Sequence, residues 1–128
     1  MNIIRKRSLR LAEHLDVDIK NINGKHIHAQ TLNISLGGFA IQCDTEVRNQ
    51  LTPQGDIVKE GRPVEVEVDV NLQLHNQTGD KNIIHARCRV IYSRRIAQDK
   101  CQIGMCFIEL LGDGQSRLSI FIQKYTKG

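Results

Sequence analysis

The fold class is decided by residues 64–74, whose sequence is VEVEVDVNLQL. Apolar residues occupy every second position of this stretch, and acidic or amide side chains occupy the positions between them. Successive side chains of a β-strand point to opposite faces, whereas a helix would distribute the same apolar set around its axis. The stretch therefore predicts a strand with one buried face and one solvent-facing side.

The same two-residue period recurs on both sides of this stretch. It predicts five further strands, at residues 15–20, 25–33, 39–43, 81–93 and 101–110. Asn23-Gly24, between the first two of these, is a strong signal of a tight hairpin turn. The other segments are predicted to be irregular, with a long loop at 45–62, a turn at 75–80 and a polar connection at 94–100.

The period changes near the end of the chain, where Leu118, Phe121, Ile122 and Tyr125 recur at helical spacing. Asp113 precedes them and is a residue type that caps helices. Sequential antiparallel strands in this number usually close into a barrel, because closure removes exposed edges. We therefore predict a mostly all-β fold, a six-stranded antiparallel β-barrel with a C-terminal α-helix over its side or one mouth.

Composition limits the class of protein. The 128 residues suit one domain, and 40% hydrophobic with 25% charged residues is ordinary for a soluble globular protein. No apolar run approaches the roughly 20 residues that span a bilayer. The four cysteines include no CxxC pair, so free thiols in a reducing cytoplasm are expected. His26 and His28 share a strand face without a matching second pair, so no metal site is expected.

The positive charge of the chain is concentrated at its N-terminus. Lysine and arginine total 18 against 14 acidic residues, a net charge of +4. Arg5, Lys6, Arg7 and Arg10 account for the whole excess. We therefore predict a basic N-terminal arm over residues 1–13 and a single barrel domain over residues 14–128. Such an arm suits an anionic partner, and a solvated basic tail is the alternative interpretation.

Residues 33–38, NISLGG, lie between the second and third predicted strands. The adjacent Gly37 and Gly38 can adopt positive φ at little cost. A turn built in this way would hold the Asn33 amide and the Ser35 hydroxyl toward the same side. There they could bond to the edge of a base or to a phosphate oxygen. An ordinary polar hairpin turn is the other interpretation of this stretch.

Taken together, these elements resemble the PilZ domain, a bacterial family that binds cyclic di-GMP. That family carries an Arg-x-x-x-Arg motif, then Asp/Asn-x-Ser-x-x-Gly after the second strand, and a Gly-x-x-Phe last strand. Asn33, Ser35 and Gly38 match the second motif, and the run 104–107, GMCF, resembles the last strand. Arg89-Val90 resembles the Arg-Val of the preceding strand. Arg89 is a candidate additional ligand contact, and an exposed strand arginine is the favoured interpretation of it.

The first motif departs from the family pattern, because Lys6 stands four residues before Arg10. Arginine offers a planar fork that can bond guanine O6 and N7 together, whereas lysine offers a point charge. Attraction to the ligand phosphates is expected to be retained, and part of the guanine specificity is expected to be lost. In that family, an arginine immediately before the motif is associated with binding of a stacked pair of nucleotides, and Arg5 resembles it.

The resemblance implies a non-catalytic cyclic di-GMP receptor that orders its basic arm on binding and relays the signal to a protein partner. The implied ligand-binding residues are Arg5, Lys6, Arg10, Asn33, Ser35, Gly37 and Gly38. No cofactor beyond the ligand, no membrane insertion and a cytoplasmic location are expected.

Three other functions are alternatives to this one. A PilZ-like protein-interaction adaptor that no longer binds nucleotide is the alternative. An enzyme would need a convergent nucleophile, base or metal set, and none is indicated. General nucleic-acid binding is disfavoured because the chain has only three Phe and two Tyr for stacking.

Overall fold

Six strands form a closed antiparallel barrel, which confirms the predicted fold class. A computed structural model describes residues 10–73 and 82–126 of the chain. The barrel strands are β1 (Asp16–Lys20), β2 (His26–Ile34), β3 (Gly38–Cys43), β6 (Glu65–Asn71), β7 (Ile83–Ala97) and β8 (Lys100–Leu110). The other elements are helix α1 (Thr45–Leu51), a 3-10 turn at Pro53–Gly55, the short strands β4 (Val58–Lys59) and β5 (Arg62–Pro63), and helix α2 (Gly114–Thr126).

The order of strands around the barrel is β1-β2-β3-β8-β7-β6, and β6 pairs again with β1. Closure depends on the short first strand: Val17 pairs with Ala29 of β2 on one side and with Val70 of β6 on the other. Because every barrel strand has a neighbour on each side, the fold leaves few backbone groups unpaired at an open edge.

The interior of the barrel is filled by aliphatic side chains. In β6 the predicted alternation holds, with Val66, Val68 and Val70 buried, while Glu67 on the other face is exposed. Fully burying one such side chain contributes about 1.5–3 kcal/mol. The largest fully buried side chains elsewhere are Phe39, Ile19, Ile34, Ile41, Leu72, Ile84, Ile103, Met105 and Leu118.

The predicted loop at 45–62 is wrong, because this segment contains helix α1 and the two-stranded β4–β5 ribbon. Asp44 caps the helix, since its side chain accepts a hydrogen bond from Val47 N at 2.8 Å. Leu51 at the helix end is 3% exposed and belongs to the core. A helix of seven residues carries too little periodicity to be recognised in the sequence, and it is stabilised by this cap and by tertiary packing.

Strand β7 extends to Ala97, so the predicted polar connection at 94–100 is also wrong. Its outer half pairs with β8, from Tyr92↔Gly104 to Ala97↔Lys100. Irregularities in the ladder interrupt the simple alternation there, one of them between Val90 and Tyr92. An extra residue in one strand shifts the phase of the side chains that follow it. The predicted turn at 75–80 and Leu74 lie outside the described residues.

Helix α2 confirms the predicted C-terminal helix. Leu118, Phe121 and Ile122 are buried on the core-facing side, whereas Tyr125 is half exposed. Gly114 begins the helix close to Ile84 and Leu110, near the β7–β8 part of the barrel. Among the helices of residues 10–73 and 82–126, none is long and apolar enough to cross a membrane.

Candidate functional site

Arg10 and Asn33, 23 positions apart in the sequence, are in direct contact. Arg10 Nη1 donates a hydrogen bond to Asn33 Oδ1 at 2.8 Å. The contact is set by the backbone, because Leu11 and Ile34 exchange two hydrogen bonds of 2.8 and 2.9 Å as an antiparallel bridge. The described part of the arm is therefore held beside the end of β2.

Thr31 of β2 binds the segment that precedes β1, at Glu13 and Leu15. The backbone N–H of Leu15 donates to Thr31 Oγ1 at 2.9 Å, and the N–H of Thr31 donates to the Leu15 carbonyl at 2.9 Å. The Thr31 hydroxyl also donates to the carbonyl of Glu13. Because Thr31 is fully buried, these bonds are shielded from water and fix the path that leads to Arg10.

A bulge at Leu32 turns Asn33 toward the outer face. Thr31 pairs with Ile41, and the ladder then shifts so that Asn33 pairs with Ala40. Ile34, the next residue, is fully buried. Strict alternation after Ile27 and Thr31 would have pointed Asn33 into the barrel. The extra residue therefore makes the Asn33 amide available outside while the core remains apolar.

The hydroxyl of Ser35 is committed to the turn and does not face solvent beside Asn33, contrary to the prediction. Ser35 is 1% exposed. Its Oγ accepts from Gly37 N at 3.2 Å and donates to the Gly38 carbonyl at 3.3 Å. The backbone N–H of Ser35 donates to the same carbonyl at 2.8 Å. Ser35 thus shapes the hairpin in this conformation.

The two glycines are also used differently from the prediction. Positive φ occurs at Gly24, Gly55, Gly61 and Gly112 among the described glycines, and so not at the pair in this turn. Gly38 is required by close packing, because a Cβ there would lie 2.0 Å from the Met105 carbonyl oxygen of β8.

The guanidinium group of Arg10 is oriented by its partner, but its charge is not neutralised. Its partner, Asn33, is a neutral amide, and within residues 10–73 and 82–126 Arg10 forms no ion pair with a carboxylate. Arg87 on β7 differs, since it lies 3.0 Å from Glu65 Oε1 and 3.7 Å from Glu109 Oε1. The Arg10 guanidinium therefore retains both its charge and most of its donors for an anionic ligand.

Arg89, the candidate additional contact, is exposed on β7 and pairs in register with Cys106 of β8. The candidate residues Arg5 and Lys6 lie outside the described residues. Thr31 and Leu11, which position Arg10, were missed by the sequence analysis. The sequence does carry a signal for this arrangement. Thr31 is a polar residue at an inward position of a strand, and Ile34 follows it three positions later, where regular alternation would place an inward residue after two or four.

Within the described ranges, no three His, Cys, Asp or Glu residues are grouped as metal ligands. The cysteines described are free thiols. Burial raises the pKa of Cys43 to about 12 and also raises the pKa of Cys88, so neither is an activated thiolate. His26 and His85 lie on the outer face of the barrel, beside Asp18 and Asp69 respectively.

Comparison with known proteins identifies the family. The family model described as PilZ domain matches residues 4–124. The chain has no significant sequence match among curated proteins.

Solved structures show the same fold. One similar structure is the inhibitor of motility MotI/DgrA of Bacillus subtilis, at 21% identity and a TM-score of 0.66, over 93% of this chain and 50% of that chain. Another is the K. pneumonia MrkH–c-di-GMP complex, at 15% identity and 0.60, over 96% and 53%. The PlzA protein of Borreliella burgdorferi in complex with c-di-GMP gives 6% identity and 0.57, over 97% and 53%. The chain spans about half the length of these three proteins.

Proposed function

Because the chain belongs to the PilZ domain family, we propose that it is a non-catalytic receptor that binds cyclic di-GMP where Arg10 meets Asn33. The observation that carries this proposal is the 2.8 Å hydrogen bond between the two side chains. It brings together one residue from each of the two sequence motifs. Two of the similar structures, MrkH and PlzA, are described as complexes with c-di-GMP, which supports the choice of ligand.

The chemistry of the pair suits this ligand, which carries two anionic phosphates and two guanines. A guanidinium has five N–H donors, and Arg10 uses one of them on Asn33. The others can bond guanine O6 and N7 or grip a phosphate. The Asn33 amide supplies both an acceptor and donors without cancelling the charge of Arg10. Arg5 and Lys6 would add positive charge from the arm.

Ser35, Gly37 and Gly38 contribute to the proposed site mainly by setting the shape of the turn that follows Asn33. Ser35 holds the Gly37 N–H, and Gly38 allows β3 to approach β8 closely. A ligand oxygen that accepts a hydrogen bond from the Ser35 hydroxyl must therefore replace its 3.3 Å contact with the Gly38 carbonyl, because a hydroxyl has one donor. We assign Ser35, Gly37 and Gly38 to the ligand-binding turn on this basis.

The regulatory part of the proposal concerns the arm. Fixing the backbone of one residue costs roughly 1–2 kcal/mol, and four like charges offer little to offset this cost without a ligand. Phosphates would neutralise the charges, order the arm against the turn and change the surface that a downstream protein contacts. The amide of Leu11 is already bonded to Ile34 without ligand, so the test is amide exchange of residues 4–9. Equal protection of these residues with and without ligand would show that this mechanism is wrong even where binding occurs.

The second candidate is a protein-interaction adaptor that does not bind nucleotide. Two observations favour it: Lys6 replaces the first arginine of the family motif, and the Ser35 hydroxyl is buried in the turn. Under this function the outer face of the barrel binds a protein directly.

Titration calorimetry distinguishes the two functions. The purified protein is titrated with cyclic di-GMP, with GTP and cyclic di-AMP as comparison ligands. We expect Arg10→Ala to weaken binding of cyclic di-GMP roughly 5- to 150-fold, which corresponds to about 1–3 kcal/mol. Arg62→Ala, at an exposed arginine of β5, is the matched control and should bind as the wild type does. Absence of binding heat for wild-type protein at high micromolar ligand would favour the adaptor.

A further inference from the structure

A groove lies at the end of the barrel where β1 turns into β2. It is lined by three segments: residues 21–25 of the β1–β2 turn, residues 49–53 around the end of α1, and residues 59–65 of the β4–β5 ribbon and the start of β6. We call it the ribbon groove. Its volume of about 1030 Å³ is at the upper limit of the pockets that hold small molecules.

The ribbon groove is held in shape by Asn21, which is only 7% exposed. Its Oδ1 accepts hydrogen bonds from the backbone N–H groups of Asn23 and Lys25, at 3.0 and 2.9 Å. Its Nδ2 donates to the carbonyl of Gln50 in α1 at 3.0 Å. The turn and the helix are therefore joined by buried hydrogen bonds, and a partner that binds between the lining segments meets a preformed surface.

The bottom of the groove is apolar and its rim exposes apolar side chains. Leu51 and Val64 line it and are 3% and 8% exposed. Ile22 also lines it and is 69% exposed. Pro63 of the ribbon pairs with Val58, which is 53% exposed. Exposed apolar side chains gathered around a concave surface are typical of a site that binds another protein.

The ribbon groove also carries an excess of positive charge. Three of its exposed lining residues are cations: Lys25, Lys59 and Arg62. Within residues 10–73 and 82–126 none of the three forms an ion pair with a carboxylate. Lys59 and Arg62 pair directly across the ribbon, where like charges are destabilising. A carboxylate bound beside them would reduce this repulsion.

The acidic residues of the groove do not offset this charge. Glu65 Oε1 accepts a hydrogen bond from Arg87 Nη1 of β7 at 3.0 Å, so its charge is paired by a residue outside the groove. Glu60 is then one carboxylate against three cations. The groove therefore attracts an anionic partner.

The shape of the groove indicates which anionic partner fits. Most lining residues are exposed, so a small ligand would stay largely in water, whereas small-molecule sites bury most of the ligand. None of the described lining residues is aromatic, and single-stranded nucleic acids are bound largely by stacking on aromatic rings. A flat lipid surface cannot reach Leu51 and Val64. An extended peptide can place aliphatic side chains on these two residues and carboxylates beside the cations.

We propose that the ribbon groove is a docking site for an extended acidic segment of a partner protein, with aliphatic side chains between its carboxylates. Lys25 lies just before β2 and Asn33 lies near its end, eight positions away, which corresponds to about 25 Å along the strand. The docking site is therefore separate from the Arg10–Asn33 pair. It goes beyond the proposed function and does not depend on nucleotide binding.

The first step of the test identifies the preferred peptide. A displayed library of random peptides of about ten residues, which span roughly 33 Å when extended, is selected for binding to the full-length protein. We expect the retained peptides to be enriched in Asp or Glu interspersed with Leu, Ile or Val. A selection that retains no peptides, or peptides without this enrichment, would overturn the proposal.

The second step locates the binding site. Fluorescence anisotropy with a labelled retained peptide compares the wild type with the double variant Lys59→Glu/Arg62→Glu. Reversal of both charges keeps the repulsion across the ribbon, so the fold should be retained, and thermal unfolding checks this. We expect binding to weaken at least about tenfold, because attraction becomes repulsion. Arg95→Glu/Lys100→Glu makes the same change in net charge at two exposed cations of the β7–β8 hairpin and should bind as the wild type does.

The outcomes are distinct from those for the proposed function. Equal affinity of the wild type and Lys59→Glu/Arg62→Glu would overturn the docking site. Peptide binding that is lost in Arg10→Ala and kept in the ribbon variant would place the peptide on the basic arm and would also overturn it. Loss in the ribbon variant alone, at wild-type thermal stability, would support the docking site. The same variant should keep wild-type affinity for cyclic di-GMP in calorimetry, and a wild type that binds peptide but no nucleotide would overturn only the receptor function.

Discussion

The ring of Tyr92 occupies the space that a side chain at residue 104 would need, because a Cβ there would lie 2.1 Å from Tyr92 Cε2. The pair therefore constrains both positions: glycine provides the space and tyrosine fills it. Since Arg94 lies over the same ring, a change at residue 104 should also displace the guanidinium group of Arg94.

Gly104→Ala should displace the ring of Tyr92 and destabilise the protein by about 1–3 kcal/mol, the usual cost of overpacking. Urea unfolding measures the change. In a Tyr92→Ala background the same substitution should cost little, because the clashing ring is absent. Additive effects of the two substitutions would show that the ring is not the cause.

Gly38→Ala should be more destabilising than Gly104→Ala. We expect it to lower the free energy of unfolding by about 3 kcal/mol or more. The new methyl group would lie 2.0 Å from the Met105 carbonyl oxygen and 2.8 Å from Cys106 Cα, both of them backbone atoms. A side chain such as Tyr92 can rotate away, whereas the β3–β8 ladder must separate. Gly24→Ala is the comparison, because open space surrounds that position and the cost there is only that of positive φ, roughly 1 kcal/mol. Equal losses of unfolding free energy for Gly38→Ala and Gly24→Ala, measured by urea unfolding, would contradict this account.

Lys6→Arg should tighten cyclic di-GMP binding by roughly 1 kcal/mol, because a bidentate charged contact exceeds a single one by about that amount. It should also improve discrimination against cyclic di-AMP, whose adenine presents a donor where guanine presents O6. Lys6→Ala should lose affinity for both nucleotides alike, and calorimetry at two salt concentrations measures each effect. If Lys6→Arg binds no better while Arg5→Ala loses most of the binding, Arg5 is the principal contact.

The free energy of unfolding should fall as the pH rises above 9. Burial raises the pKa of Cys43 from 9.0 to about 12. Between these values the thiol ionises in the unfolded chain and stays protonated in the folded one, so the unfolded state binds fewer protons and is favoured by rising pH. Cys43→Ala should reduce this dependence in urea unfolding at pH 8 to 11. An unchanged slope would show that Cys43 is accessible to water in the folded protein.

The barrel could be predicted from the sequence because its signal is local and repeated. Every second residue of 64–72 is buried as its type indicates, and a polar residue separates each pair. The C-terminal helix was recognised for the same reason, from the spacing of Leu118, Phe121 and Ile122. Patterns of this kind indicate directly which residues are buried, so the burial that they predict agrees with the folded structure.

The parts of the site that could not be predicted depend on single residues and on contacts between distant segments. The bulge at Leu32 reverses the direction of Asn33, and the inward bonding of Ser35 is decided by the close approach of β3 to β8 at Gly38. Arg10 is positioned by the Leu11–Ile34 bridge. None of these has a periodic signature, because each arises only when the strands are already paired.

The two bulges, at Leu32 in β2 and at Ile91 in β7, set which face of the barrel the following side chains occupy. Each follows a buried residue, Thr31 or Val90, and precedes Asn33 or Tyr92 respectively, which point to the outer face. A chain that lost one residue at either bulge could keep its strands paired only by turning Asn33 or Tyr92 into the barrel, or by losing the apolar residues beside them. Among related barrels, a difference of one residue in strand length at these points should therefore separate members that present these side chains on the outer face from members that do not.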